Sequence, residues 1–319
     1  MKGRYIMRHY SLSLGICIAG LLTSVTAAQA GNESWVSGTG TDAGTCPRTA
    51  PCRTFQFAHD QTNNNGSINV LNSGNFGPVT ITKPISIVAD GVEAVINTAL
   101  PSPNPAAIAI NAGGGAVVSL RGLTIDMRGT ANFGILFNSG AALHVRDTFI
   151  RRSNDGIRFA PAAGNPELYV ADTAISGSQA VGIDVRPSGN GAVVTLDRVS
   201  SESNGDGAMM FRGTSTTGSV TATVRDSLAA FSGPGLQASD DGVGTTVVTL
   251  ENSAVVNNAG AFGVMAVGAG AIIRMGDSTV SGNGQGLSTF TGGVIDSYGT
   301  NKVNGNGTDG TPTNTIGMK

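Results

Sequence analysis

The chain has 319 residues, a formal net charge of −2, 40% apolar content and only 13% charged and 5% aromatic residues. It can bury a core, but one built from Val, Ile, Leu and Ala, and 47 of its residues are glycine. No basic stripe runs along it, which counts against nucleic acid and anionic membranes as partners.

The first thirty residues read as a separate object. Lys2, Arg4 and Arg8 give a positive start, "SLSLGICIAGLLTSV" is an apolar run short for a bilayer, and "AQA" ends it with small residues. This pattern predicts a secretory signal peptide over 1–30, cleaved after Ala30, and so a secreted or periplasmic protein. Cys17 sits inside the apolar run, so no lipoprotein anchor is expected, and no later segment is apolar enough to span a membrane. Losing three cations and no acids takes the net charge from −2 to −5. Two cysteines remain, Cys46 and Cys52 in "TCPRTAPC". Their spacing fits neither a CxxC redox motif nor a structural zinc site, and export predicts a disulfide across a Pro-containing loop.

Residues 31–67 read as an N-terminal cap. "SWVSGTG" starts as a strand, and "CRTFQFAHDQTNNNG" predicts one short helix at 53–63, ending at Asn/Gly. Three strands follow, on Ile68/Val70, Val79/Ile81 and Ile85/Ile87. From there one phrase recurs: an apolar pair, Asp or Asn beside Ser or Thr, a second apolar stretch, a polar turn, then Gly. Aligned after the first apolar pair, the positions are Gly122, Asp147, Asp172, Arg198, Asp226, Asn252 and Asp277, in steps of 25, 25, 26, 28, 26 and 25. Aligned on the glycine, they are Gly134, Gly156, Gly182, Gly207, Gly235, Gly263 and Gly286.

A period this regular denotes a repeat architecture, and its period-two alternation is strand writing. Three short strands in about 25 residues make one coil of a right-handed parallel β-helix, predicted here over 68–302. The leucine-rich and calcium-binding repeat frames are absent. Stacking turns each sequence column into a physical row. Asp147, Asp172, Asp226 and Asp277 then read as turn-fixing side chains, with a row of calcium ligands as the rival reading. Asn132, Asn154, Asn204, Asn258 and Asn283 read as stacked amides before the glycine. Ile157, Ile183, Leu236, Val264 and Leu287, each after the glycine, are predicted to point inward. The helix is the natural lid for the exposed strand edges at one end. The polar, Gly-rich segment 303–319 is expected to be loose or a thin cap.

"PCRTFQ", followed by Ala58 and "GSINVLNSGNFGPVTITKPISIVADG", resembles the opening of secreted proteins of the pectate lyase-like superfamily. Pro51 to Gln56, Gly66, Ile68, Val70, Gly74, Phe76, Val79, Ile81, Ile85 and Ile87 carry the likeness. The repeats from about 116 to 300 resemble the Asn-x-x-Gly-Ile coils of the same group. The resemblance implies the fold; it leaves function open, because that superfamily holds lyases, hydrolases, epimerases and adhesins.

Polygalacturonase-type hydrolases carry Asn-x-Asp, Gly-Asp-Asp, Gly-His-Gly and Arg-x-Lys on successive coils, to protonate a leaving oxygen and activate water. Here "SNDGIRF" offers Asp155, but Gly156 stands where a second acid belongs. Only His59 and His144 lie beyond residue 30, and neither Gly-His-Gly nor Arg-x-Lys occurs. Lyase chemistry needs several acids around calcium and an Arg or Lys to take a proton. The predicted outward row after the glycine reads Leu136, Arg158, Asp184, Met209, Gln237, Met265 and Ser288. Arg158 and Asp184 are its charged neighbours and the candidate catalytic residues; the competing reading is an exposed ion pair worth about 0–1 kcal/mol. A second outward row, Arg121, Arg146, Ala171, Asp197, Arg225 and Glu251, suggests surface ion pairs between coils. Asp240 and Asp241 read as solvated. Glycan-binding surfaces usually offer exposed aromatic platforms, and beyond residue 30 the chain has only Trp35, Tyr169 and Tyr298, with Phe137, Phe159, Phe211 and Phe290 mostly inward, which counts against a polysaccharide groove.

The resulting expectation is an exported, monomeric, non-catalytic β-helix module without a metal or other cofactor, acting as a structural, surface or binding protein toward a polysaccharide or cell-surface component. The alternative is a calcium-assisted or other carbohydrate-active enzyme, a lyase, hydrolase or epimerase on uronate-rich glycans.

Overall fold

The computed structural model describes residues 31–97, 106–129, 132–213, 218–241 and 243–317. The signal-peptide reading, with cleavage after Ala30, lies outside the described residues. Each coil contributes strands to three parallel sheets. The first runs through Gly31–Val36, Thr62–Val70, Ile85–Val88, Val117–Arg121, Ala142–Arg146 and onward to Asn314–Thr315. The second runs from Gly74–Asn75 to Lys302–Val303. The third has nine strands, from Val79–Ile81 to Gln285–Phe290. The chain is a parallel β-helix whose first sheet begins at Gly31, ahead of the expected boundary at 68.

Loops 71–73, 89–93 and 298–301 join the first and second sheets in the outermost coils, but from Val117–Arg121 to Thr279–Ser281 the two sheets meet at a corner with no loop. One residue turns the chain there, and it adopts the left-handed conformation: φ is 50° at Asp147, 49° at Asp172, 53° at Arg198, 51° at Asp226, 45° at Asn252 and 48° at Asp277. That explains the Asp/Asn/Gly column, since these types enter this region at least cost. The following hydroxyls form a row. Ser253 donates to Glu251 O at 2.7 Å and accepts from Ser227 N at 3.1 Å. Ser278 repeats this with Gly276 O and Ser253 N.

At the joint between the second and third sheets, buried amides stack. Asn258 donates to Asn283 Oδ1 at 2.9 Å, Asn283 to Asn306 Oδ1 at 2.9 Å, and Asn306 to Asp309 Oδ1 at 2.9 Å, which closes the series. The row continues through the Asn204 side chain, which accepts from Ser178 N, to Ser153. Asn154, predicted in this row, stands one residue away. The repeat glycine serves a close approach: a Cβ on Gly134 would lie 2.5 Å from Gly156 O and 2.6 Å from Ile150 Cγ2.

The core is a set of aliphatic rows. Ile108, Ile135, Ile157, Ile183, Met209, Leu236, Val264 and Leu287 are aligned strand on strand and buried. Met209 therefore points inward, and Met210 takes the outward position given to it in the sequence reading. The joint before the third sheet varies in length, and Gly207 lies one residue early: Ala208 holds the glycine position. Phe137, Phe159 and Phe211 are inward as expected, with Phe137 and Phe159 stacked at 4.4 Å, but Phe290 is 42% exposed.

The helix is Phe55–Gln61, capped by the Thr54 hydroxyl accepting from Phe57 N. It buries Phe55, Ala58 and His59 and lies against the strands 31–36, 62–70 and 79–81. Cys46 and Cys52 are bridged, and they are buried beside it. In the last coil, 302–303 and 314–315 pair with the preceding strands, so the C-terminal segment continues the solenoid.

Two predictions follow from this packing. Ile183→Asp places an unpaired charge in the core row and is expected to cost about 3 kcal/mol or more in denaturant unfolding. His59 is the second case: its Nε2 accepts from Thr82 N while Nδ1 contacts Asp60, so the fold requires the neutral ring. Burial pulls its pKa below the ordinary 6.5, Lys83 adds to this and Asp60 opposes it. The unfolded chain then binds the proton more readily, so this stabilisation is complete above pH 6.5 and is lost as pH falls below it. Melting of the wild type is expected to drop on acidification from pH 6.5 more steeply than that of His59→Gln.

Candidate functional site

The outer face of the third sheet carries a cluster of five charged side chains. Arg158 and Asp184 are direct partners on neighbouring strands. Arg186 and Arg212 follow two residues beyond Asp184 and Met210 on the same face, as strand alternation requires. Asp155 precedes the strand of Arg158 and anchors the next coil by accepting from Val181 N at 3.1 Å.

Asp155 and Asp184 are both 0% exposed. Arg158 binds Asp155 through Nε at 2.6 Å, lies 3.5 Å from Asp184, and stacks on Phe133 with its guanidinium 4.7 Å from the ring centre. Arg186 Nε and Arg212 Nε stand 2.8 and 3.0 Å from the two Asp184 oxygens. Their N–H directions miss the oxygens, so charge holds Asp184 more than aligned hydrogen bonding does. Burial pushes the Asp184 carboxyl above the usual range, against the pull of Arg212 and Arg186. Burial also draws the Arg212 guanidinium down, with Asp184 opposing, and it remains a cation.

This corrects the exposed-pair reading of Arg158 and Asp184. The carboxylate is sunk beneath three guanidiniums, whose side chains are 23% (Arg158), 34% (Arg186) and 29% (Arg212) exposed. The sequence reading reached three of the five members, Arg158 and Asp184 as a pair and Asp155 as an isolated acid. Arg186 and Arg212 were findable as the next outward position of each strand. Asp240, read as solvated, is also buried, with Gly270 packed against its carboxylate. In the second row, Asp197 is buried under Arg198 and Arg225, at 2.7 and 3.1 Å.

Chemically, the cluster has an excess of one positive charge and no carboxylate free of a cation. A calcium ion would have to take Asp155 and Asp184 from three arginines in contact with them, so these residues do not fit that metal. Among the described residues no three His, Cys, Asp or Glu side chains come together to hold a metal ion. The partly open guanidinium edges can instead present N–H donors to an anion.

Among solved structures, the chain is similar to the crystal structure of pectate lyase Pel9A, at a TM-score of 0.53 and 16% identity, covering 86% of this chain and 71% of that one. The fold is that of the pectate lyase-like β-helices. Identity this low speaks to architecture alone. No protein-family model matches the chain, and no curated protein sequence does. Among the described residues no helix of this β-helix is long and apolar enough to cross a membrane.

A substitution tests the buried cluster. Asp184→Asn leaves three arginines crowded without their shared partner, and is expected to cost about 3 kcal/mol or more. An exposed pair would lose under about 1 kcal/mol in the same urea titration.

Proposed function

We propose that this pectate lyase-like β-helix is an exported, non-catalytic binding module that takes an acidic carbohydrate on the outer face of its third sheet. The observation that carries the reading is the state of the acids. Asp155 and Asp184 are buried and neutralised, so neither is placed as a free base, while Arg158, Arg186 and Arg212 keep part of their surface toward solvent. A planar guanidinium matches a uronate carboxylate in charge and shape.

The enzyme reading rests on two observations: the likeness to a structure titled pectate lyase, and a carboxyl in Asp184 raised toward the range useful for proton donation. One experiment separates them. Purified protein is titrated with polygalacturonate, with and without calcium, while the ultraviolet absorbance of unsaturated uronate is followed. Salt-sensitive binding without product is expected, weakened roughly tenfold or more in Arg186→Ala. Steady growth of product, lost in Arg158→Ala at unchanged melting temperature, would establish the enzyme reading instead.

A further inference from the structure

Trp35, Tyr169 and Tyr298, too few in the sequence to signal a polysaccharide groove, share one face, and it is not the face of the arginine cluster. Trp35 alternates with buried Ser34 and Val36 on the first strand of the first sheet, and Tyr169 alternates with buried Leu168 and Val170 on a later strand. Tyr298 follows buried Ser297 at the end of that sheet and touches the position of Gly276. Every Trp and Tyr among the described residues therefore stands on the outside of the first sheet, partly open to solvent.

Around Trp35 the face is concave. A cleft of about 290 Å³ is lined by Trp35, Arg48, Asn69 and Asp90, with the aliphatic surfaces of Val88 and Val92. The Arg48 guanidinium lies 4.9 Å from the centre of the Trp35 ring system. Asp90 is held by Arg121 at 3.0 Å. Trp35, Asn69, Val88 and Arg121 are consecutive members of one outward row, so stacking sets out part of the cleft, and the loops between strands add Arg48, Asp90 and Val92. Five strand steps along the same sheet, about 24 Å away at ~4.8 Å per step, Tyr169 repeats the arrangement. Arg146 stacks on its ring at 4.7 Å and His144 meets it edge-on at 6.1 Å.

This chemistry differs from that of the third sheet. An indole and two valines offer an apolar surface the size of a sugar ring. A guanidinium, an amide and a carboxylate supply both donors and acceptors, as a set of hydroxyl groups requires. The charges nearly balance, because Arg48 is offset by Asp90, and Arg121 lies between Asp90 and Asp147. An anionic sugar would meet the Asp90 carboxylate, whereas a neutral pyranose can set its C–H face on the ring and its hydroxyls on the polar groups. We infer that the first sheet carries a second carbohydrate site, for a neutral polysaccharide anchored in the Trp35 cleft and continued onto Tyr169.

Trp35 is the only tryptophan of the chain, so its emission reports on the cleft directly. Purified full-length protein is titrated with neutral hexasaccharides (cellohexaose, mannohexaose, xylohexaose and chitohexaose) and, separately, with oligogalacturonate. A saturable change in Trp35 emission with at least one neutral hexasaccharide is expected. Asp90→Ala should weaken it at least tenfold, Tyr169→Ala should weaken it for the polymer of the same sugar, and Arg186→Ala should leave it unchanged. No saturable change with any neutral hexasaccharide, or a change with oligogalacturonate alone, overturns the inference. Because Arg186 belongs to the third sheet, failure here is distinguishable from failure of the acidic-carbohydrate reading.

Discussion

A parallel coil cannot satisfy its own backbone. Each strand of this chain leaves N–H and C=O groups on both edges, and only another coil stacked ~4.8 Å away, or a cap, can pair them. Everything regular in the molecule descends from that requirement. Residues separated by one period must lie on top of one another, so a side chain that suits one coil must suit its neighbours. Aliphatic residues therefore form rows inside, amides form a row at one joint, and left-handed residues form a row at the corner. The two ends are the places where stacking stops. The helix Phe55–Gln61 covers one, and Asp309 takes the last amide donor at the other.

The same requirement leaves the outward positions free. Their backbones pair with the neighbouring coils like any others, but their side chains lie outside the core, so chemistry can change from sheet to sheet on one scaffold. The third sheet uses this freedom to sink two carboxylates under three arginines. The first sheet uses it to set out its aromatic residues in the open, with guanidiniums stacked on two of them. Cations serve opposite ends in the two places. Over Asp184 they offset a buried charge that would otherwise be costly, and over Trp35 and Tyr169 they extend a polarisable surface.

The fold was legible because its determinants are local and periodic. The alternating pairs, the glycine before the third-sheet strand and the inward residue after it recur in most coils, and the structure returns the row through Ile157, Ile183 and Leu236 in register. What escaped was burial on the outside. Asp184 alternates outward from the core and yet is buried, because neighbouring side chains cover it, and a column alignment does not see such covering; Asp240 instead continues the inward alternation of Leu236 and Ala238. Register was lost where joints vary. Met209 for Met210 and Asn154 for Ser153 are one-residue slips, each next to a turn whose length differs from coil to coil. Arg186 and Arg212 were passed over for a simpler reason: each strand has two outward positions, and only the first was followed.

The three edges of the solenoid differ in how they can change. At the corner between the first and second sheets a single left-handed residue does the turning in the middle coils, where adding one more would reverse the facing of all that follows until the next joint. Within those coils that edge is closed to insertion, whereas the loop 89–93 already opens it beside Trp35. The joints flanking the third sheet already absorb differences of a residue or more between coils. Evolutionary elaboration of this protein is thereby channelled to the rims of one sheet, where longer loops could build walls over the arginines. The open face with Trp35 and Tyr169, bordered along its middle coils by the one-residue corner, can diversify there chiefly by exchanging side chains.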